Sequence, residues 1–196
     1  METVSVSGRT ISQGSDSLYA YSLVVQTPEK VTQWVKEERN RFAETYATVP
    51  VQDKKPGIRV VGFTAMEEME ATLFRWIHRI ISVQKKFRVN LEKYNGFPSH
   101  TIYLQVRDHR PFQELAREMQ ILDPYIKSYG CPSVQAEIRP HLVIAEALSE
   151  PVYRSAEKEY AQKRFDTSFD VNELVLLRRQ HAFDQGKQVS VFGLQP

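Results

Sequence analysis

Cysteine occurs once in the 196 residues, at Cys131. That excludes an internal disulfide and leaves a cysteine-based metal site without its other ligands. Long apolar runs are missing too: no stretch approaches the ~20 residues that a membrane-spanning helix needs, and the N-terminus carries no signal-like apolar core. Nor is there an excess of either charge. The 26 Lys and Arg stand against 24 Asp and Glu, a formal net charge of +2, so no global field draws polyanions and any basic patch must be local. Together these absences imply a reducing, cytoplasmic setting without a membrane partner, and the chain is expected to be a monomer.

What is present is enough for a core. Hydrophobic residues make up 41% and aromatics 11% of the chain, sufficient for one domain of two lobes. Residues 1–17 are rich in Ser, Thr and Gly and are expected to form a poorly ordered leader, with a single bilobal domain over 18–196. Leu18 to Gln26 is β-prone. Thr27-Pro28-Glu29 then supplies a helix cap, a first-turn proline and a first-turn acid. Val31, Trp34, Val35, Phe42 and Tyr46 give this first helix its apolar stripe, with Lys36, Glu37, Arg39 and Arg41 on the wet side. Ile58 to Phe63 follows as a strand, and Thr64 to Glu67 has capping-box spacing for a second helix running to about Val83. Phe87 to Tyr94 and Thr101 to Val106 pair as strands. Asp108 caps a third helix with Pro111 in its first turn, and Asp123-Pro124 breaks or redirects it. Ser149-Glu150-Pro151 opens a fourth helix. Phe169 to Leu177 and Gln188 to Phe192 close the chain as strands around a turn at 184–187.

One pattern occurs twice. Arg139-Pro140-His141-Leu142-Val143-Ile144 has the same grammar as Lys55-Pro56-Gly57-Ile58-Arg59-Val60: basic, proline, then alternation suited to a half-buried strand. Residues two apart in a strand share a face, so Arg139, His141 and Val143 look one way, as do Lys55, Gly57 and Arg59. If the two strands meet, their faces converge on a basic groove that invites a phosphate. The element order gives an α+β fold of two pseudo-symmetric lobes, each an antiparallel sheet flanked by helices, around that central groove.

The order of elements, Pro-His-Leu-Val-Ile at 140–144 and Pro-Gly-Ile-Arg-Val at 56–60 resemble the 2H phosphoesterase superfamily, in particular its 2′-5′ RNA ligase-like and cyclic phosphodiesterase branch, over about Leu18 to Val191. The family pattern is His-x-Thr or His-x-Ser on each of two strands. The resemblance implies metal-independent chemistry without cofactors at a ribose 2′ oxygen, typically opening of a 2′,3′-cyclic phosphate. One histidine takes a proton from the attacking water, the other protonates the leaving oxygen, and two hydroxyls hold the phosphoryl group.

Three of those four positions differ here. His141 matches the second histidine and is the candidate catalytic residue, but Val143 stands at its hydroxyl position, Gly57 at the first histidine and Arg59 at the other hydroxyl. Arg59 could compensate in part by pairing its planar fork with phosphate oxygens. Lys55, Arg59 and Arg139 either line a phosphate-binding groove or are edge-strand charges that discourage aggregation. His100-Thr101 fails the spacing, since adjacent strand residues face opposite ways, and His78, His109 and His181 carry no assigned role. Lys85, Lys86 and Arg88, and likewise Arg178 and Arg179, read as solvated loop charges unless the last two face the groove. Three functions fit: a divergent phosphoesterase of weak or absent activity, a non-catalytic binder of a phosphate-containing small molecule, nucleotide or RNA end, and a partner-binding scaffold.

Overall fold

Strand β1 (Leu18–Gln26) starts where the sequence turns from Ser and Gly to β-formers. The computed structural model describes residues 17–51, 55–98, 100–180 and 186–196, so almost all of the expected leader, His181 and part of the turn at 184–187 lie outside the described residues. After β1 come α1 (Glu29–Tyr46), β2 (Gly57–Met66), α2 (Glu70–Ile81), β3 (Phe87–Phe97), β4 (Thr101–Val106), α3 (Arg110–Met119), α4 (Asp123–Ser128), β5 (Gln135–Ala136) and β6 (His141–Ala145). The chain finishes with α5 (Glu150–Tyr160), β7 (Asp166–Val171), β8 (Glu173–Arg179) and β9 (Lys187–Gly193).

The strands form two antiparallel sheets, ordered β5-β2-β1-β8-β9 and β6-β4-β3-β7. Directly paired residues share a face, and side-chain contacts tell which face is covered. In the first sheet Tyr21 pairs with and stacks on Phe63 and donates its hydroxyl to Glu70 of α2, so that face lies under helices α2 and α3. In the second sheet Tyr94 packs edge-on to Tyr160 of α5, and α1 joins α5 on that side through Phe42 on Tyr160 and Trp34 on Phe165. Helix α1 therefore follows a strand of the first sheet yet covers the second, while α3 follows a strand of the second and packs against β2 of the first. The opposite faces of both sheets are open only in part: Arg59 is exposed there, while Val24, Val175 and Tyr103 are buried.

Four expectations change. Thr64 does not cap a helix: β2 runs on to Met66, and a short 3-10 turn at Glu67–Met69 precedes α2. Thr64 stays in the strand because β1 offers partners through Leu18, paired with Met66. The expected strand Phe169–Leu177 is two strands in different sheets, with the chain crossing at Asn172, whose carbonyl accepts from the Leu194 N–H. Arg39, placed on the wet side of α1 by its charge, is buried at 3% exposure. Arg178 and Arg179 lie in β8 rather than a loop, with Arg178 paired to Glu67 and Glu70. In addition, Pro28 holds the N-cap position of α1, while the Thr27 hydroxyl donates to the Pro56 carbonyl and so ties down the start of β2.

Helices α1 and α5 are joined by a buried carboxylate. Glu38 accepts from the Tyr160 hydroxyl at 2.8 Å and from Lys163 at 3.4 Å. Burial, then hydrogen bonds to Glu159 and Glu157 respectively, push the phenols of Tyr46 and Tyr153 up to about 12. Tyr21, Tyr94 and Tyr160 are raised as well, again chiefly by burial and then by nearby carboxylates. A phenol that holds its proton more tightly when folded stabilises the fold fully below the ordinary value near 10, and loses that contribution as pH rises through the folded value. The melting temperature is therefore expected to fall between about pH 10 and pH 12, in step with phenolate absorbance. Unchanged thermal stability across that window would contradict the placement of these hydroxyls.

Candidate functional site

The two repeated segments come together. β2 and β6 belong to different sheets but run close alongside each other. On β2 the register slips: Leu23 of β1 pairs with Val61, and the next residue, Val24, pairs with Arg59, so Val60 is an extra, fully buried residue. This bulge keeps Gly57, Arg59 and Gly62 on the open face while Ile58, Val61 and Phe63 stay in the core. On β6 Leu142 and Ile144 are buried and His141 and Val143 face the groove.

His141 is half-buried against two aromatic rings, Phe97 edge-on and Tyr103 tilted, each with its centroid 4.9 Å away. Phe97 and Tyr103 stack on each other at 4.5 Å. The Nδ1 of His141 lies 2.6 Å from the Arg139 carbonyl oxygen. A carbonyl can only accept, so Nδ1 carries a proton, and in the neutral ring the lone pair is then on Nε2. That is the arrangement of a ring ready to take a proton. Beside it on the same face stand Tyr103, paired with Val143, and Gln105, paired with His141. Gln105 also accepts from the Asn95 amide at 3.3 Å. Burial raises the Tyr103 phenol, and the Arg139 guanidinium opposes that shift.

Arg59 is half-exposed, and its Nη2 lies 2.8 Å from Glu137, just beyond β5. Lys55 is exposed ahead of β2. At Gly57 an added Cβ would meet Val24 and the Val25 carbonyl oxygen at 3.4 Å, an ordinary van der Waals contact. The Val143 side chain shares that face with Tyr103, and its carbonyl accepts from Nε and Nη2 of Arg39 at 3.1 and 2.8 Å. His100 instead bonds its neighbour Thr101, and His78 is exposed on α2. Among the described residues no group of three or more His, Cys, Asp or Glu could hold a metal ion, and no helix is long and apolar enough to cross a membrane.

Sequence reasoning missed Glu137, Arg39, Phe97, Tyr103 and Gln105. The alternation in Thr101–Val106 could have exposed Tyr103 and Gln105 as one face of a strand. Nothing local marks Glu137 or Arg39, whose partners lie 78 and 104 residues away.

Comparison with known proteins bears on the fold. The crystal structure of E. coli LigT complexed with 3′-AMP superposes with a TM-score of 0.66 at 17% identity, covering 91% of this chain and 99% of LigT; LigT complexes with phosphate and with ATP also match. TT0787 of Thermus thermophilus gives 0.64 at 16% identity, over 89% of this chain and 97% of that one. The MHV ns2 PDE domain gives 0.55 at 13% identity, over 83% and 99%. No curated protein sequence matches the chain. Identities this low speak for the fold. The model of the 2′-5′ RNA ligase superfamily, however, matches residues 27–182, most of the sequence, and the chain belongs to that superfamily.

Proposed function

We propose that the groove binds the phosphate of a ribonucleotide or RNA end, as a cyclic phosphate or phosphodiester, and that His141 is its one remaining proton-transfer residue, with weak turnover as the result. The observation that carries this reading is the His141 ring, held by its Nδ1–H on the Arg139 carbonyl and packed against the stacked pair Phe97 and Tyr103. Arg139 and Lys55 supply positive charge, Arg59 is paired to Glu137 and offers a donor, Gly57 stands where a second imidazole would be, and Val143 gives an apolar contact in place of a hydroxyl. LigT, which shares the fold, binds 3′-AMP, phosphate and ATP, and the same ligand class suits this groove.

In such a site Nε2 of His141 either takes the proton of an attacking water or, when protonated, gives one to the leaving ribose oxygen. The other transfer falls to solvent. A positioned acid or base is worth about a hundred- to ten-thousand-fold, so hydrolysis of a 2′,3′-cyclic nucleotide runs slower by about that factor than in a site with both histidines. The expected outcome is slow release of nucleotide monophosphate that disappears in His141→Ala. Arg139→Ala weakens binding of 3′-AMP about tenfold, and less at high salt. Full affinity in both variants, measured by calorimetry, would overturn the reading. A second reading, favoured by the replacements at Gly57, Arg59 and Val143, is binding without turnover, marked by normal affinity for the cyclic nucleotide and no product.

A further inference from the structure

Arg59 stands where the family has a neutral hydroxyl donor, and an unpaired guanidinium there would alter the charge of the site as well as its hydrogen bonding. It is not unpaired. Nε and Nη2 both donate to Oε2 of Glu137, at 3.2 and 2.8 Å. The Glu137 side chain is only 14% exposed against 50% for Arg59, and the Glu137 backbone N–H donates to the Val60 carbonyl at 2.9 Å. The carboxylate is therefore fixed to the edge of the strand that carries Arg59. With that side of the fork engaged, Nη1 is the nitrogen left for a ligand. It lies 3.8 Å from the point where a Cβ at Gly62 would be, on the open face, with no side chain at that position to cover it.

We infer that Glu137 is the specificity-determining residue of the groove: Arg59 and Glu137 act as one electrically neutral donor, and the site takes a phosphate with a single negative charge over one with two. This rests on the phosphate reading of the groove. A phosphodiester or cyclic ester carries one charge near neutral pH, whereas a monoester, with its second pKa near 6, carries close to two. Both forms can accept the Nη1–H. Only the monoester brings a second charge toward the Glu137 carboxylate, and like charges a few ångströms apart in a half-exposed groove repel, less so as salt rises. The preference also acts on turnover. Opening a cyclic ester with water breaks one phosphorus–oxygen bond and leaves a ribose hydroxyl and a monoester, whose acidic proton passes to solvent. The product is then the more highly charged species, and Glu137 favours its departure.

The test is titration of the whole protein and of Glu137→Gln with three probes at fixed low salt and neutral pH: 2′,3′-cyclic AMP and the dinucleotide ApA, each singly charged, and 3′-AMP. The substituted amide keeps an oxygen acceptor for Arg59 without the charge. The expected result is a three- to tenfold gain in affinity for 3′-AMP and a smaller gain of about two- to threefold for the other two, as their charges require, a difference that shrinks at high salt. Equal shifts for all three probes, or no shift, would overturn the inference while leaving the phosphate reading in place. Failure of the unsubstituted protein to bind any of the three removes the phosphate reading, and the inference with it.

Discussion

Gly57→His, Arg59→Thr and Val143→Thr introduced together are expected to raise cyclic phosphodiesterase activity by about a hundred- to ten-thousand-fold, the worth of one positioned acid or base. The structure gives the variant room. An added Cβ at Gly57 makes contacts of 3.4 Å with Val24 and the Val25 carbonyl oxygen, close but without overlap, and the new imidazole sits on the groove face opposite the one that packs in the core. Val143 is half-buried on the same groove as His141, and Thr has nearly its shape. Removing Arg59 frees the Glu137 carboxylate beside the new threonine, so the same triple variant carrying Glu137→Gln is the more active of the two. Product release from 2′,3′-cyclic AMP is the measurement, with His141→Ala on the triple background as the control that returns activity to the floor. A folded triple variant that stays inert would reject the correspondence between the β2 and β6 segments.

Arg39→Ala is expected to lower stability by about 3 kcal/mol and the melting temperature by about 6–12 °C, in the range for losing hydrogen bonds from a buried charged group in a domain of this size. Arg39 reaches from α1 to the outer edge of β6, where its Nε and Nη2 donate to the Val143 carbonyl. Among the described residues no strand hydrogen-bonds to that edge, and a bare row of backbone acceptors is what edge strands must otherwise hide. Arg39→Lys should recover only part of the loss, because an ammonium cannot present two donors in one plane. The effect reaches the site: with β6 loosened, the His141 imidazole resonances should broaden or shift in Arg39→Ala while those of the exposed His78 hold still. Loss of stability without any change at His141 would limit Arg39 to packing.

The elements that periodicity can describe were legible in the chain. The apolar stripe of α1, the buried residues of α2 and the proline-led strands at Gly57 and His141 all lie where local pattern puts them, since each needs only its own neighbours to declare an inner face. What local pattern cannot describe is a partner far along the sequence. Arg39 looks like a solvated charge until β6 supplies a carbonyl, and Glu137 looks like a polar residue before a strand until Arg59 meets it. Thr64-Ala65-Met66-Glu67 has the letters of a capping box, but pairing with β1 keeps those residues extended. Phe169 to Leu177 is continuously β-prone, so nothing in it declares that one half hydrogen-bonds to β3 and the other to β1. The candidate site was legible in its strands and in His141, and illegible in the ion pair and the aromatic ring pair that give it character.

The exchange of helices between the two sheets bears on how the chain reaches this structure. β1 sits between β2 and β8, so the first strand made must wait for one that begins at Glu173, and α1 has no sheet to lie on until β6 has been synthesised. The first sheet is complete only when β8 and β9 have emerged, whereas every strand of the second has emerged by Val171. The β1 edge that β8 covers therefore waits for a late partner, and folding is dominated by contacts between distant residues, slow for a protein of this length.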